Sequence, residues 1–201
     1  GAYETANDPD GDGPDTNPFD LTSTGMEALR AADADVFLVV DAGANALLGV
    51  SETGDVSTLA VFPNTDVEFP PGSGQMVPMD PVPTSAVIGP DGAYYVSQLT
   101  GFPFPLDGAS VWRVEPGSDP EKYAEGFTNI LDLAFAADGS LYVLEMFTNG
   151  LLSGDPTGAI TRIDTDGSRT LVAREGLITP TDLTIGPDHA LYVTNFATSP
   201  T

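Results

Sequence analysis

A nine-residue phrase occurs three times in the 201-residue chain, and it constrains the fold more than any other feature. The copies occupy residues 88–96, 135–143 and 185–193, so they recur at intervals of 47 and 50 residues. Each copy consists of an apolar run, a turn signal such as Pro90-Asp91-Gly92 and a second apolar run ending in Tyr and Val. This pattern is typical of a tight antiparallel hairpin. A period of about 40 to 50 residues with a hairpin in every unit predicts β-propeller blades.

Two further strands complete each repeat. An alternating strand follows at 109–114 or 159–163, and after a second turn comes a fourth strand at 121–124 or 169–173. Four short strands joined by turns form one antiparallel sheet. A weaker copy of the pattern lies nearer the N-terminus, with Val36 opening its second strand. The sequence therefore predicts an all-β propeller of four-stranded blades at 17–62, 83–126 and 127–177, with a partial blade at 178–201.

The length of the chain does not fit a complete ring of six such blades. Six blades of this period need about 280 residues, and an uncovered blade face requires a neighbour or a cap. We therefore expect a fragment, a processed chain or an assembly in which other chains supply the rest. Residues 1–16 precede the blades as an acidic N-terminal segment.

The charge of the chain excludes several classes of partner. The chain has 30 acidic and six basic side chains, and the resulting net charge of −24 is spread through the sequence. With so few cations the chain is unsuited to nucleic acid and to anionic membrane surfaces. An acidic surface repels itself at low ionic strength and is screened by concentrated salt, which predicts a high-salt, extracellular or cell-surface setting. No cysteine is present, so disulfides and thiolate sites are excluded.

Several phrases resemble the ScyD/ScyE family, whose genes neighbour scytonemin biosynthesis. The resemblance is carried by 41–48, 57–63, 101–105, 123–129 and 149–158, and it covers about residues 7–201. It implies a six-bladed, NHL-like propeller, and it implies no settled biochemical activity. The chain departs from the family in its shorter length and in His189, which stands where the other two copies of the phrase have glycine. We expect the histidine to alter only one turn.

Oxygen-bearing side chains recur at two places in each repeat. They open the innermost strand, and they end the second strand. Because consecutive antiparallel strands run down and back, both places lie on one face of the propeller, at the mouth of its channel. Ca²⁺ takes six to eight oxygen ligands, so these residues are candidates for a channel metal, although such side chains also cap turns and bind backbone. The first set is Asp20, Ser85, Asp132 and Asp182, and the second is Asp41, Gln98, Glu145 and Asn195.

A second candidate calcium site lies in the N-terminal segment. Asp8, Asp10 and Asp12 alternate before Gly13, as in the first half of a calcium loop. Phe19 occupies the twelfth position, where a bidentate glutamate is expected, so Asp15 or Asp20 would have to replace it. The alternative is a solvated acidic linker.

The three longest insertions, at 63–82, 99–108 and 146–158, fall on the face of the predicted channel mouth. Long loops on a rigid scaffold are where binding usually occurs. Their phenylalanines either line a pocket for an apolar ligand or pin the loops to their own scaffold. His189, the only histidine, is predicted in a turn on the opposite face, which argues against a Ser-His-Asp triad. The candidate ligand-face residues are Gln98, Phe102, Phe104, Phe147 and Asn149.

Three functional hypotheses follow. The first is a non-enzymatic binding module that presents its loops to a protein or small-molecule ligand, with structural Ca²⁺. The second is a calcium-dependent hydrolase or lactonase, suggested by a distant, architecture-level resemblance to gluconolactonase and paraoxonase propellers. The third is a structural subunit that self-associates when its open blade edges pair with other chains.

Overall fold

A computed structural model describes residues 2–24 and 37–198 of the chain. This part contains a short helix, α1 (Ala2–Asn7), and sixteen strands. No helix in these two ranges is long and apolar enough to cross a bilayer. The strands are β1 (Pro18–Ser23), β2 (Phe37–Asp41), β3 (Ala46–Val50), β4 (Val56–Val61), β5 (Thr65–Glu68), β6 (Met76–Met79), β7 (Pro83–Ile88), β8 (Tyr94–Gln98), β9 (Ala109–Val114), β10 (Glu121–Phe127), β11 (Ile130–Phe135), β12 (Leu141–Glu145), β13 (Ala159–Ile163), β14 (Arg169–Ala173), β15 (Asp182–Ile185) and β16 (Leu191–Thr194).

The strands form three four-stranded antiparallel sheets, β1–β4, β7–β10 and β11–β14, and a two-stranded sheet, β15–β16. This arrangement confirms the predicted all-β propeller with four-stranded blades. The hairpin β5–β6 is a separate element inside the connection between the first two sheets, and it was not predicted. The predicted start of the second strand, Val36, lies outside the described residues.

The sheets stack face to face, with their first strands side by side in the order β1, β7, β11, β15. Leu21, Ala86, Leu133 and Leu183 hold the same position in these four strands. The last three are buried between neighbouring sheets, and Leu133 is only 2% exposed. Leu21 is 59% exposed, because no described residue covers that side of β1. The core therefore lies between the sheets, and the first sheet leaves one face open.

In the first and third copies of the hairpin phrase a tyrosine lies over a glycine, whereas the middle copy has Ala136 in place of that glycine. A Cβ atom added to Gly89 would lie 2.3 Å from Cε2 of Tyr95, so the ring occupies the space of the missing side chain. The Tyr95 hydroxyl donates to Asp91 Oδ2 over 3.2 Å. Gly186, Asp188 and Tyr192 repeat this geometry in the last hairpin. The three types of residue in the phrase thus form one packed unit.

His189 occupies the left-handed position of its hairpin turn. Its φ is 62°, close to the 82° and 87° of the equivalent Gly92 and Gly139. Its N–H still donates to the Gly186 carbonyl over 2.9 Å, as the equivalent glycines do in their own turns. The histidine therefore accepts a conformation that suits glycine better, and the turn keeps its hydrogen bond.

Candidate functional site

The first strands of the four stacked sheets line one cavity of about 480 Å³, which we call the central cavity. In β1 and β7 the lining residues alternate along the strand, as its period of two predicts, whereas β11 and β15 contribute consecutive residues. Asp20, Ser85, Asp132 and Asp182 form one layer of the lining, and Thr22, Val87, Ala134 and Thr184 form the next. The structure therefore brings together the four residues that were predicted from the start of the innermost strands.

Asp132 links three sheets across this cavity. Its Oδ1 accepts the Ser85 hydroxyl over 2.6 Å and the Leu133 N–H over 2.8 Å, and its Oδ2 accepts the Leu183 N–H over 2.7 Å. Burial raises its pKa to about 7, outweighing these donors, and a hydrogen bond with the Asp182 side chain acts in the same direction. Near neutral pH the Asp132 carboxyl group is therefore partly protonated.

The residues that end the second strands have a different role. They are not among the residues that line the central cavity, although the strand register places them beside the start of the innermost strands, as in the pairs Pro18–Asp41 and Ile130–Glu145. Each side-chain oxygen instead accepts a backbone N–H, which is the alternative use of such residues. Metal binding by this set stays a prediction. The bonds join Asp41 to Asn17 (2.7 Å), Gln98 to Ser110 (3.1 Å), Glu145 to Thr128 (2.8 Å) and Asn195 to Ile178 (2.7 Å).

A cluster of polar residues lies where the 99–108 loop meets the start of the third sheet. We call Thr100, Asp107, Thr128, Asn129 and Glu145 the loop-face polar cluster. Asp107 N–H donates to the Thr128 hydroxyl over 3.3 Å, and the Thr128 N–H donates to Glu145 Oε1. Burial raises the pKa of Glu145 despite the Thr128 N–H, and the negative charge of Asp107 adds to the increase.

Two oxygens of this cluster are buried without a donor. Thr100 is 0% exposed and Asn129 is 1% exposed, and neither Thr100 Oγ1 nor Asn129 Oδ1 has a hydrogen-bond partner among the described residues. The Asn129 amide nitrogen donates to the Leu99 carbonyl over 3.0 Å, which fixes the orientation of the side chain. An unpaired buried polar group costs about 1–3 kcal/mol, so these two oxygens indicate a function or a missing partner.

Thr100 and Asn129 are not among the site residues predicted from the sequence. Asn129 precedes its innermost strand by one residue, outside the positions that were compared between repeats. The equivalent residue of the first repeat is Asn17, and that of the second is Val82. The recurrence of asparagine in two repeats was the one available signal.

The N-terminal segment is docked on the first sheet. Tyr3 packs against the apolar cluster of Ala44, Ala46 and Leu48, and its hydroxyl lies 2.9 Å from Thr58 Oγ1. Buried Glu4 accepts the N–H groups of Asp15 and Thr16. Burial acts to raise the pKa of Glu4, but these donors hold it below the usual value. Burial and the hydrogen bond to Glu4 raise the pKa of Asp15.

The carboxylates of the predicted N-terminal calcium loop make hydrogen bonds within the protein. Asp8 accepts the Gly13 N–H over 3.1 Å, and Asp10 accepts the Asp12 N–H and the Asn45 side chain. Within residues 2–24 and 37–198, no group of three or more His, Cys, Asp or Glu side chains could hold a metal ion. Calcium binding by Asp8, Asp10, Asp12 and Asp15 stays a prediction.

The predicted ligand-face loops divide into two groups of contacts. Phe102 packs against Phe69 of the preceding loop and against Phe104 of its own loop. Asn149 donates to Asp155 over 2.7 Å within the 146–158 loop, and Phe147 is half-buried in the same loop. The phenylalanine contacts hold neighbouring loops together, and Phe102 also stays 54% exposed.

Comparison with known proteins places the fold. No family model and no curated protein matches the chain. A solved virginiamycin B lyase from Staphylococcus aureus superposes with a TM-score of 0.59 at 13% identity, covering 94% of this chain and 58% of its own. A gluconolactonase from Xanthomonas campestris gives 0.57 at 17% identity, covering 80% of this chain and 50% of its own. The fold is a propeller of this general type. The chain spans about half the length of these structures, and membership of the ScyD/ScyE family stays a prediction.

Proposed function

We propose that the protein is a non-enzymatic binding module whose loop face binds a protein or small-molecule ligand around a calcium ion. The observation that carries the proposal is the pair of buried acceptor oxygens without donors, Thr100 Oγ1 and Asn129 Oδ1. A cation at the loop-face polar cluster is the partner that we propose for these oxygens. The membership of the ScyD/ScyE family that the sequence suggests is compatible with this role and does not define it.

The donor set of the cluster fits a hard cation. A hydroxyl, an amide oxygen and the carboxylates of Asp107 and Glu145 are the ligand types that Ca²⁺ takes, whereas zinc favours the nitrogen and sulfur ligands that this cluster lacks. The mutual repulsion of Asp107 and Glu145 also favours a bound cation, since a positive charge between them would stabilise both ionised forms. When bound, such an ion supplies a charged anchor for ligand oxygen atoms.

Replacing Asn129 with alanine is expected to lower calcium affinity about tenfold, the equivalent of about 1.4 kcal/mol for one lost ligand. Isothermal titration calorimetry of EDTA-stripped protein measures the change, in 1 M NaCl to suppress weak binding to the acidic surface. Asn149→Ala is the matched control, because Asn149 is also a loop asparagine but is exposed and bonded to Asp155. Its affinity should equal that of the wild type.

Two results would contradict the assignment. If the wild-type chain does not bind calcium, the proposed structural calcium ion is wrong. If Asn129→Ala binds normally and Asp10→Asn does not, the ion belongs to the N-terminal loop instead.

A calcium-dependent hydrolase or lactonase is the second candidate, and Asp132 favours it. A carboxyl group with a pKa near 7 in a cavity is suited to acid–base chemistry, and a bound metal ion polarises a carbonyl. Several solved structures that resemble the chain are described as gluconolactonases or lyases. A lactone and ester turnover screen separates the candidates. Turnover that disappears in Asp132→Asn would favour the enzyme.

We also propose a high-salt, extracellular or cell-surface setting, because 30 acidic side chains face only six basic ones. Raising NaCl from 0.1 to 2 M is expected to raise the melting temperature by several degrees, since the Debye length falls from about 10 Å to about 2 Å. Calorimetric scans at fixed pH measure the shift. A melting temperature that is flat or falls with salt would argue against this setting.

A further inference from the structure

Three phenylalanine rings from two different loops meet at right angles on the surface. The rings of Phe69 and Phe102 have centroids 4.8 Å apart at an interplanar angle of 75°, and those of Phe102 and Phe104 are 6.2 Å apart at 88°. We call these three residues the aromatic corner. Phe102 remains 54% exposed although it contacts both other rings. The rings therefore form walls of an open corner, not a closed core.

The loop that carries two of these rings is held in one conformation by backbone hydrogen bonds. The N–H groups of Leu99, Thr100 and Gly101 donate to the carbonyls of Val82, Pro81 and Asp80 over 2.9, 3.1 and 2.8 Å. Phe104 and Asp107 have φ values of 56° and 57°, a left-handed conformation that side chains other than glycine adopt only when their surroundings enforce it. The corner is therefore preorganised before any ligand arrives.

The charge around the aromatic corner has one sign. Glu68 precedes Phe69, and the Cβ of Asp80 lies 3.2 Å from the Cβ position of Gly101, next to Phe102. Neither the 62–82 segment nor the 99–108 loop contains a lysine or an arginine. Glu68 Oε1 accepts the Gly74 N–H, but neither segment supplies a cation to balance the carboxylates. A cationic ligand would be attracted by these carboxylates and by the negative faces of the rings, whereas an anionic ligand would be repelled.

We propose that the aromatic corner binds an organic cation, an ammonium group with apolar substituents. Aromatic rings attract such cations through their quadrupoles, and cages of rings are the usual recognition site for quaternary ammonium groups. The apolar substituents bury against the rings, and Glu68 and Asp80 supply the opposite charge. This site does not require the calcium ion of the proposed function, because its ligand contacts come from ring faces and exposed carboxylates.

Calorimetric titration with benzyltrimethylammonium tests the proposal, in 0.15 M NaCl with EDTA present so that calcium is absent. Wild-type protein should bind this probe, and Phe102→Ala should lower the affinity about tenfold. Leu171→Ala is the matched control, because Leu171 on β14 is similarly exposed at 58% and lies on another strand of the fold. Its affinity should not change.

A second variant separates charge from ring contact without altering apolar packing. Asp80→Asn should weaken binding about threefold and should make the affinity less sensitive to NaCl, because one carboxylate is removed. Equal binding of benzoate, unchanged binding by Phe102→Ala or no binding of benzyltrimethylammonium to the wild type would each overturn the proposal. Because EDTA removes calcium from these titrations, a negative result here would not bear on calcium binding at the loop-face polar cluster.

Discussion

Replacing Leu133 with alanine is expected to lower the free energy of unfolding by about 3 kcal/mol, the usual cost of a leucine-to-alanine cavity in a packed core. Leu133 is 2% exposed and belongs to the apolar cluster between the second and third sheets. Urea unfolding followed by circular dichroism measures the loss. Because Leu133 also adjoins Asp132 at the central cavity, the variant should loosen the channel wall as well.

Leu21→Ala is the matched control for Leu133→Ala. Leu21 holds the same repeat position as Leu133 and would undergo the same substitution, but it is 59% exposed on the open side of β1. Leu21→Ala should therefore change the free energy of unfolding by no more than about 0.5 kcal/mol. Both leucines lie in the first strand of a sheet, each follows an aspartate, and the substitution is the same. The difference between the two losses of stability therefore reports the effect of burial.

A large loss of unfolding free energy in Leu21→Ala would contradict this expectation. It would indicate that another polypeptide segment covers β1 in solution, as the hypothesis of a subunit with open blade edges requires. A concentration-dependent melting temperature would then identify self-association, because binding to the native state stabilises it by mass action.

The sequence predicted the sheets and the channel layer because both depend on local rules. The Gly-Pro-Asp turn and the tyrosine that follows it in the next strand form a short-range unit, in which Tyr95 packs on Gly89 and donates a hydrogen bond to Asp91. The cavity layer of Asp20, Ser85, Asp132 and Asp182 follows from strand register, since alternate residues face the same side.

Other features could not be predicted from sequence patterns because they depend on contacts between residues far apart in the chain. Helix α1 has only six residues, and Tyr3 and Glu4 hold it to the first sheet and to residues 15 and 16. The loop-face polar cluster depends on Thr100, a β-branched residue at a φ of 82° that no propensity would predict. The second-strand residues were ambiguous, because an oxygen that caps a backbone N–H has the same sequence signature as one that binds a metal ion.

The contribution of Asp132 is expected to make the free energy of unfolding fall as pH rises from about 4 to 7. Its folded-state pKa is about 7, whereas an aspartate in an unfolded chain titrates near about 3.9. Below about pH 4 both states are protonated and the full stability is present. Between the two values the folded state binds the extra proton, so each pH unit removes about 1.4 kcal/mol, up to about 4 kcal/mol in total.

Asp132→Asn isolates this contribution because asparagine does not titrate. The variant loses stability at low pH through the altered contacts with Ser85 and Leu183, but its stability relative to the wild type should improve as pH rises from 5 to 7.5. Urea unfolding at half-unit pH intervals measures the difference. Asp138→Asn is the control, because hydrogen bonds from Ser140 lower the pKa of Asp138 and keep it ionised throughout this range. A difference curve for Asp132→Asn as flat as that control would show that the channel carboxylate is already ionised at pH 5, and it would remove the physical basis for acid–base chemistry at this position.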